Sequence, residues 1–188
     1  MWLDTLPGDS LRPRAGLPGD VSVDVAIVGA GYTGLWTAYY LARCDPSLRI
    51  AVVEREVAGF GASGRNGGWC SALLPMSLDR IAAGHGRDAA VAMQRAMNDT
   101  VDEVLAVTAR ERIDCDAAKG GYFHAATTRP HLARLKADVA DARSWGFGAD
   151  DLRMLDRDEA ESRIAVAGLL GATHTPHCAA VNPAKPAV

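Results

Sequence analysis

The stretch DVAIVGAGYTGLWTAYYLA, residues 24–42, decides the expected fold. Its first part is β-branched and almost entirely apolar, which is typical of a strand buried on both faces. Apolar residues then recur at helical spacing, and Asp45 followed by Pro46 predicts the end of that helix. A second apolar run, SLRIAVVERE, predicts another buried strand that closes on Glu54. We therefore expect a strand over 21–29, a helix and a second strand, forming a βαβ unit of an α/β fold.

The residues GAGYTG, at positions 29–34, match the Gly-x-Gly-x-x-Gly pattern of dinucleotide-binding sites. Gly29 would allow a tight turn, Gly31 the close approach of a pyrophosphate, and Gly34 close packing of the helix on the sheet. The helix N-terminus would hold the phosphates. Glu54 would accept hydrogen bonds from ribose hydroxyls and disfavour a 2′-phosphate, so we do not expect NADP. The candidate cofactor-binding residues here are Gly29, Ala30, Gly31, Tyr32, Thr33, Gly34, Glu54 and Arg55.

A second motif bears on the choice between FAD and NAD, which share the same adenosine diphosphate half. This motif is GFGASGRNGGWC, at 59–70. Its glycines leave backbone N–H groups open, and its serine, arginine and asparagine can donate hydrogen bonds. Such donors suit a flavin, because its N1–C2=O2 edge gains negative charge on reduction. The candidate cofactor-binding residues of this loop are Gly61, Ala62, Ser63, Arg65, Asn66, Gly67 and Gly68.

Together the motifs resemble the D-amino-acid-oxidase-like FAD-dependent oxidoreductases, in particular the branch that includes gamma-glutamylputrescine oxidoreductase. The resemblance rests on the stretch 24–42, on VVERE, on GFGASGRNGGW, on HCAAVNPAKP and on the arm MWLDTLP. It covers nearly the whole chain. It implies a Rossmann-like FAD-binding domain of the D-amino-acid-oxidase type, followed by the start of an α+β substrate domain.

The same resemblance implies FAD as the cofactor and a small-molecule amine or amino acid as the substrate. A hydride would pass from the carbon next to the nitrogen to flavin N5, and the resulting imine would hydrolyse. A covalent flavin link at Cys70 is an alternative to a small buried thiol, which is the default for such a residue. By motif match, the loop that meets the pyrophosphate and the flavin would contain Ser63, Arg65, Asn66, Gly67 and Gly68.

The rest of the chain predicts further elements and three segments. We expect an arm over 1–20, the βαβ unit and flavin loop over 21–77, and a helical segment with a partial substrate domain over 78–188. Apolar periodicity predicts a long amphipathic helix from Arg87 to Arg110. Members of the family are considerably longer, so we expect an incomplete, N-terminal version of the fold.

Beyond the long helix, the pattern alternates between strands and helices. GGYFHAATT predicts a strand, and we expect one of Tyr122, Phe123 and His124 to face the flavin, although alternation alone does not say which. RPHLARLKADVADARSWGFG predicts a helix stopped by glycines. DRDEAESRI predicts a short helix capped by Asp156, and AGLLGATHTPHCAAVNP predicts one strand or a pair.

Composition argues against several other classes of protein. The apolar fraction is 48% and the charged fraction 23%, which disfavours disorder. The formal net charge of -3 offers no basic surplus for nucleic acid or an anionic membrane. No segment approaches the ~20 apolar residues of a membrane span, and the N-terminal stretch does not fit a secretory signal. Four widely spaced cysteines favour reduced thiols in a cytoplasmic protein.

Two alternative functions stay open at this point: an NAD-linked dehydrogenase, and a truncated, non-catalytic chain that binds a dinucleotide. Hydrolase chemistry at Ser63 is disfavoured, because Arg65 occupies the last glycine position of the Gly-x-Ser-x-Gly pattern. The neighbours His174, His177 and Cys178 would need a further ligand to hold a metal, so we expect no metal site.

Overall fold

The structure, a computed structural model, describes residues 2–6 and 8–187. They divide into two compact units, each assembled from separate parts of the chain. The first unit takes in the described residues up to Gly68, then 108–117 and the chain from Val181 onward, and the second takes in 69–107 and 118–180. The division expected from the sequence, into an arm (1–20), a βαβ unit with the flavin loop (21–77) and a helical segment with a partial substrate domain (78–188), stays a prediction. Within them, Met1, Pro7 and Val188 lie outside the described residues.

A parallel βαβ unit forms the centre of the first unit. Strand β1 (Val25–Val28) leads into helix α1 (Tyr32–Cys44), and strand β2 (Ile50–Val53) pairs with β1 in parallel. Helix α1 ends at Cys44, with Asp45 as its extended C-cap residue, because a residue directly before proline is disfavoured in the helical conformation. These elements confirm the α/β class and the βαβ unit expected from the sequence.

Both strands are more exposed than the sequence indicated. The predicted strand at 21–29 is shorter in the structure, and half-buried and exposed residues alternate along it. Val28 is 91% exposed, and Val52 and Val53 are 36% and 38% exposed. The prediction of burial on both faces is therefore wrong here. Among the described residues of the first unit, this sheet has two strands and packs on α1, so part of its surface has no covering layer.

Segments far apart in the chain close the first unit around Asn182, which is buried. Its side-chain Nδ2 donates to Thr5 Oγ1 at 2.8 Å and lies 3.4 Å from Asp116 Oδ2. Its Oδ1 accepts from the main-chain N–H of Ala184, and its own N–H donates to the carbonyl of Cys115. The short 3₁₀ turns of this unit are Trp2–Thr5, Gly8–Leu11, Ala62–Gly64 and Lys185–Ala187.

The described part of the second unit contains two three-stranded antiparallel sheets. One has the order β3 (Trp69–Ser71), β8 (Cys178–Ala180) and β4 (Ala118–Lys119). The other has the order β5 (Tyr122–Ala126), β7 (Gly171–Thr175) and β6 (Arg153–Leu155). Its helices are α2 (Leu78–His85), α3 (Arg87–Arg110, whose last residues belong to the first unit), α4 (Arg129–Ser144) and α5 (Arg157–Glu161).

The helix predictions for this region are confirmed. The amphipathic helix from Arg87 to Arg110 has the bounds expected from its apolar spacing. Helix α4 follows Thr128, whose hydroxyl caps its N-terminus, and Gly146 with φ +89 lies just beyond its end. Asp156 caps α5 by accepting from the Glu159 N–H at 2.8 Å. The stretch AGLLGATHTPHCAAVNP forms the pair of strands β7 and β8, whereas the two-residue strand β4 was not predicted.

The cysteines are free thiols, as the sequence indicated. Cys44 is exposed and Cys70 half-buried, whereas Cys115 and Cys178 are buried. Burial raises the pKa of the Cys178 thiol, which keeps it protonated at neutral pH. Among the described residues, every helix is too short or too polar to span a bilayer.

Helix α1 lies so close to β1 that residue 34 has no room for a side chain. A Cβ on Gly34 would lie 2.1 Å from the carbonyl oxygen of Gly29. Because that oxygen belongs to the backbone, the helix itself would have to move. We expect Gly34→Ala to lower the free energy of unfolding by roughly 1–3 kcal/mol, measured by urea denaturation.

Gly84→Ala in α2 is the matched control. A Cβ there meets nothing within 4 Å, so alanine should stabilise the helix by roughly 0.5–1 kcal/mol. Similar stabilisation by the two substitutions would contradict the close approach at Gly34.

Candidate functional site

The turn between β1 and α1 brings the predicted glycines together. Gly29 has φ +99, a conformation that glycine adopts without strain. Gly31 is the N-cap residue of α1. The first N–H groups of α1 have no partner within the helix and are directed toward acceptors beyond its N-terminal end. This end of the helix carries partial positive charge, which favours an anion.

Glu54 reaches back from the end of β2 to this turn. Its Oε2 accepts from the Ala30 N–H at 2.9 Å, and its Oε1 accepts from the Glu56 N–H at 3.1 Å. The bond from Ala30, followed by that from Glu56, holds the pKa of Glu54 below its ordinary value of 4.5. Each carboxylate oxygen has a further lone pair, so Glu54 can also accept from a ribose hydroxyl. The neighbouring Arg55 is exposed and pairs with Glu56 at 3.1 Å.

Ser63 links the second motif to the first. Its Oγ accepts from the Tyr32 N–H at 2.9 Å, at the N-terminus of α1. The same oxygen would lie 3.1 Å from a Cβ on Gly31. A side-chain oxygen therefore occupies a position that suits a phosphate oxygen. The two predicted motifs lie in contact, while the contacts of their residues with a cofactor stay predictions.

Asn66 shapes the second loop from within. Its Nδ2 donates to the Ser63 carbonyl at 2.7 Å and to the Ala62 carbonyl at 3.3 Å. Its Oδ1 accepts from the Gly68 N–H at 2.8 Å. The Asn66 amide, one of the side-chain donors that the sequence offered to a flavin, is thus committed to the loop itself. The structure gives Asn66 a shaping role, and its direct contact with the cofactor stays a prediction.

The remaining predicted site residues differ in their surroundings. The Arg65 guanidinium lies over the Phe60 ring, 4.0 Å from its centroid. Thr33 is exposed on the first turn of α1. The Tyr32 hydroxyl donates to the Pro183 carbonyl at 2.6 Å. Tyr32 thus contributes its main-chain N–H to the helix end and its side chain to the attachment of the segment around Pro183.

The glycines of the second loop fall into two groups. A Cβ on Gly59, Gly64 or Gly68 would lie 2.3 to 2.6 Å from another protein atom, so the packing of the loop requires glycine there. A Cβ on Gly61 or Gly67 would meet nothing within 4 Å, and neither has a positive φ. Protein packing and backbone geometry therefore do not account for these two glycines. Open backbone at these positions fits a dinucleotide bound beside the loop, and their contact with a cofactor stays a prediction.

In the second unit, strand β5 places its aromatic side chains on two different faces, which the sequence pattern alone did not decide. Phe123 packs against the buried cluster that contains Leu155. Tyr122 and His124 share the other face, with ring centroids 5.0 Å apart, and Trp69 lies 5.4 Å from Tyr122. The expectation that one of the three predicted residues faces the flavin stays a prediction.

The second unit also contains a cavity of about 190 Å³. Asp138, Asp141 and Asp151 line it, beside apolar side chains such as Phe147. Asp151 Oδ1 lies 3.1 Å from His177 Nε2. Carboxylates next to apolar wall atoms suit a small molecule that joins a cationic nitrogen to a hydrocarbon stem.

The three side chains considered as a metal site have separate surroundings. His177 faces Asp151, His174 Nε2 lies 3.3 Å from the Gly120 carbonyl oxygen, and Cys178 is buried. Within residues 2–6 and 8–187, no three His, Cys, Asp or Glu side chains are arranged to hold a metal ion.

Comparison with known proteins decides the family. The sequence profile of the DAO family, described as FAD dependent oxidoreductase, matches residues 24–187. The chain belongs to the DAO family. FAD is the cofactor of this family, and membership confirms the resemblance drawn from the two glycine-rich motifs.

Relatives with established names agree with this DAO assignment. Gamma-glutamylputrescine oxidoreductase of Escherichia coli strain K12 is 33% identical over 146 residues, which cover 77% of this chain and 33% of the relative. Glycine oxidase from Geobacillus kaustophilus has a TM-score of 0.60 at 25% identity, covering 87% of this chain and 41% of that one. L-amino acid deaminase from Proteus vulgaris shares the fold, with a TM-score of 0.65 at 17% identity and coverage of 92% and 38%. The chain therefore spans 33% to 41% of the length of these relatives.

The long-range contacts that support the two glycine-rich motifs were not predicted from the sequence, although Tyr32 was itself a candidate cofactor-binding residue. The Trp2 indole donates to the Asn66 carbonyl, 64 residues away, and the Tyr32 hydroxyl donates to Pro183, 151 residues away. MWLDTLP and HCAAVNPAKP were recognised as similar to the family, but no local pattern shows what such segments contact. Their partners follow only from the tertiary fold.

The hydrogen bonds of Glu54 predict a pH dependence of stability. Since its folded-state pKa lies below 4.5, the stabilisation is complete above that pH and is lost as the pH falls through the folded-state value. Glu54→Gln keeps an acceptor but carries no charge. We expect the urea midpoint of the wild type to exceed that of Glu54→Gln by a constant amount between about pH 6 and pH 8. The difference should shrink below pH 4.5. A difference in urea midpoint that is the same at all pH values would show that the charge of Glu54 does not contribute to the stability.

Proposed function

We propose that this chain supplies the FAD-binding part of an oxidoreductase that oxidises the C–N bond of an amine or amino acid. The observation that carries the proposal is the contact between the two glycine-rich motifs. Ser63 of the second loop accepts from Tyr32 at the N-terminus of α1, and Gly61 and Gly67 leave open backbone in the same loop. Membership of the DAO family supports FAD as the dinucleotide.

The residues of this chain would hold the cofactor at two places. The N-terminal N–H groups of α1 would bind the pyrophosphate, with Gly31 leaving space for its approach. Glu54 would accept from the ribose hydroxyls while it keeps its bond from Ala30. When bound, the flavin would supply the redox chemistry, namely a site for the hydride that leaves the carbon next to the substrate nitrogen.

The substrate class rests on two observations. The relatives are named for a substituted putrescine, for glycine and for L-amino acids, which all contain an amine. The cavity of the second unit is lined by Asp138, Asp141 and Asp151, and carboxylates complement a protonated amine. The free cysteines support a reducing compartment, and we propose the cytoplasm.

Binding of FAD by the purified chain is the first test. We expect added FAD to remain with the protein after gel filtration, with the absorbance near ~450 nm that the oxidised isoalloxazine supplies. Added NAD should not displace it. Binding of NAD without FAD would favour a nicotinamide-linked dehydrogenase. Binding of ADP and FAD with equal affinity would favour a chain that recognises only the adenosine half.

A side chain at residue 31 tests whether the glycine turn is the site. In Gly31→Val, the branched side chain would project toward Ser63 Oγ and into the space assigned to the pyrophosphate. Ser63 can rotate away, so we expect the fold to survive and FAD affinity to fall more than ~10-fold, which corresponds to over ~1.4 kcal/mol. Affinity is measured by equilibrium dialysis, and folding by circular dichroism.

Gly16→Val is the matched control, because a Cβ at residue 16 of the arm meets nothing within 4 Å. It should leave FAD affinity unchanged. Wild-type affinity in Gly31→Val would place the dinucleotide elsewhere in the chain.

A further inference from the structure

The N-terminal 3₁₀ turn, Trp2–Thr5, lies against the second glycine-rich loop. The Trp2 indole N–H donates to the main-chain carbonyl oxygen of Asn66 at 2.7 Å. The ring also lies close to Gly68, because a Cβ on that glycine would lie 3.3 Å from Trp2 Cζ2. Trp2 therefore contacts the loop through one hydrogen bond and lies beside the glycine that ends it.

The turn is itself attached to the first unit. The Thr5 hydroxyl donates to the Trp2 carbonyl at 2.6 Å and accepts from Asn182 Nδ2 at 2.8 Å. Leu6, which follows, is 9% exposed. Because the turn is bonded at Thr5 and buried at Leu6, Trp2 has a defined position from which to support the loop.

The loop depends on supports of this kind, since it is rich in glycine. Gly68 donates its N–H to Asn66 Oδ1 at 2.8 Å and accepts at its carbonyl from the Val181 N–H at 2.9 Å. Glycine lowers the cost of many alternative backbone conformations, so an unsupported loop would sample them. The bonds at Asn66 and Gly68 restrict the loop to the form in which Ser63 reaches α1.

We propose that the N-terminal turn is a positioning element of the cofactor site. Trp2 holds the loop 59–68 through Asn66 before the dinucleotide arrives, so that binding does not have to order the loop. A preorganised loop loses less conformational entropy on binding and therefore binds more tightly. This inference rests on the proposed FAD site but assigns to Trp2, acting through Asn66, a positioning role that requires no contact between Trp2 and the cofactor.

Trp2→Phe tests the proposal, since it keeps an aromatic ring and removes the indole N–H. In the cofactor-free chain, we expect faster hydrogen–deuterium exchange of the Gly68 amide, whose acceptor lies on Asn66. We also expect FAD to bind roughly two- to tenfold more weakly, the range that corresponds to one hydrogen bond. Unchanged exchange together with unchanged affinity would overturn the proposal.

Trp36→Phe is the matched control within the same unit. Trp36 stacks on Tyr40 in α1, and no hydrogen bond of its indole is seen within the described ranges 2–6 and 8–187. The same chemical change there should alter neither the exchange of the Gly68 amide nor FAD affinity.

A double-mutant cycle separates positioning from general destabilisation. Asn66→Ala removes the internal bonds of the loop, so Trp2→Phe should cost less FAD affinity in that background than in the wild type. The main-chain carbonyl that accepts from Trp2 is kept in this variant, so full additivity would show that Trp2 does not act through the side-chain bonds that order the loop, and would contradict the proposal. Faster exchange in Trp2→Phe with wild-type FAD affinity would also contradict it. If the wild type bound no FAD, the proposed function would fail, and the exchange measurement would still decide whether Trp2 supports the loop.

Discussion

The close approach of α1 to β1 at Gly34 is the constraint on which the candidate site depends. A single methyl group at residue 34 would overlap the Gly29 carbonyl, so only glycine lets the helix lie where it does. That position brings the Ala30 N–H within reach of Glu54, and the Tyr32 N–H within reach of Ser63. The position of Glu54, the proposed ribose acceptor, and that of the helix N–H groups proposed to bind phosphate thus depend on the absence of a side chain at residue 34.

The second requirement is the closure of the first unit by segments that are distant in sequence. Asn182, which is 2% exposed, bonds to Thr5 across 177 residues and to Asp116 across 66 residues. Lys185 adds an ion pair to Asp116 at 3.0 Å, which is the main reason that the pKa of this carboxyl is lowered. Closing long loops costs conformational entropy, so these buried and charged contacts have to offset it. The geometry of the glycine-rich loop therefore depends on both ends of the described chain.

Elements set by local patterns could be predicted from the sequence, whereas properties set by neighbouring layers could not. The bounds of α3 follow from apolar spacing, and the end of α1 follows from Pro46, because both effects act within a few residues. The exposure of Val28 depends on what covers the sheet, which a run of apolar residues does not reveal. Asn66 shows the same limit: its amide can donate and accept, and only the folded loop decides that its partners are main-chain groups. In this site, the sequence was thus informative about which residues meet, and less so about which groups remain free for a ligand.

The exposed valines of β1 and β2 bear on how cofactor binding and folding are related in this chain. Parallel sheets are ordinarily covered on both faces, and apolar surface left in water contributes nothing to the hydrophobic stabilisation of about 25 cal/mol per Å². The chain spans 33% of the length of its Escherichia coli relative, so the relative contains much sequence that has no counterpart here. A ligand that binds the folded state stabilises it in proportion to the logarithm of its concentration over Kd. In a unit whose central sheet is partly uncovered, the stabilisation by a bound ligand is a larger share of the total stability than in a unit whose sheet is covered on both faces. Binding at the glycine turn would therefore stabilise the contact of α1 with β1 as well as hold the cofactor. A change at this turn would then alter both the affinity for the cofactor and the free energy of unfolding.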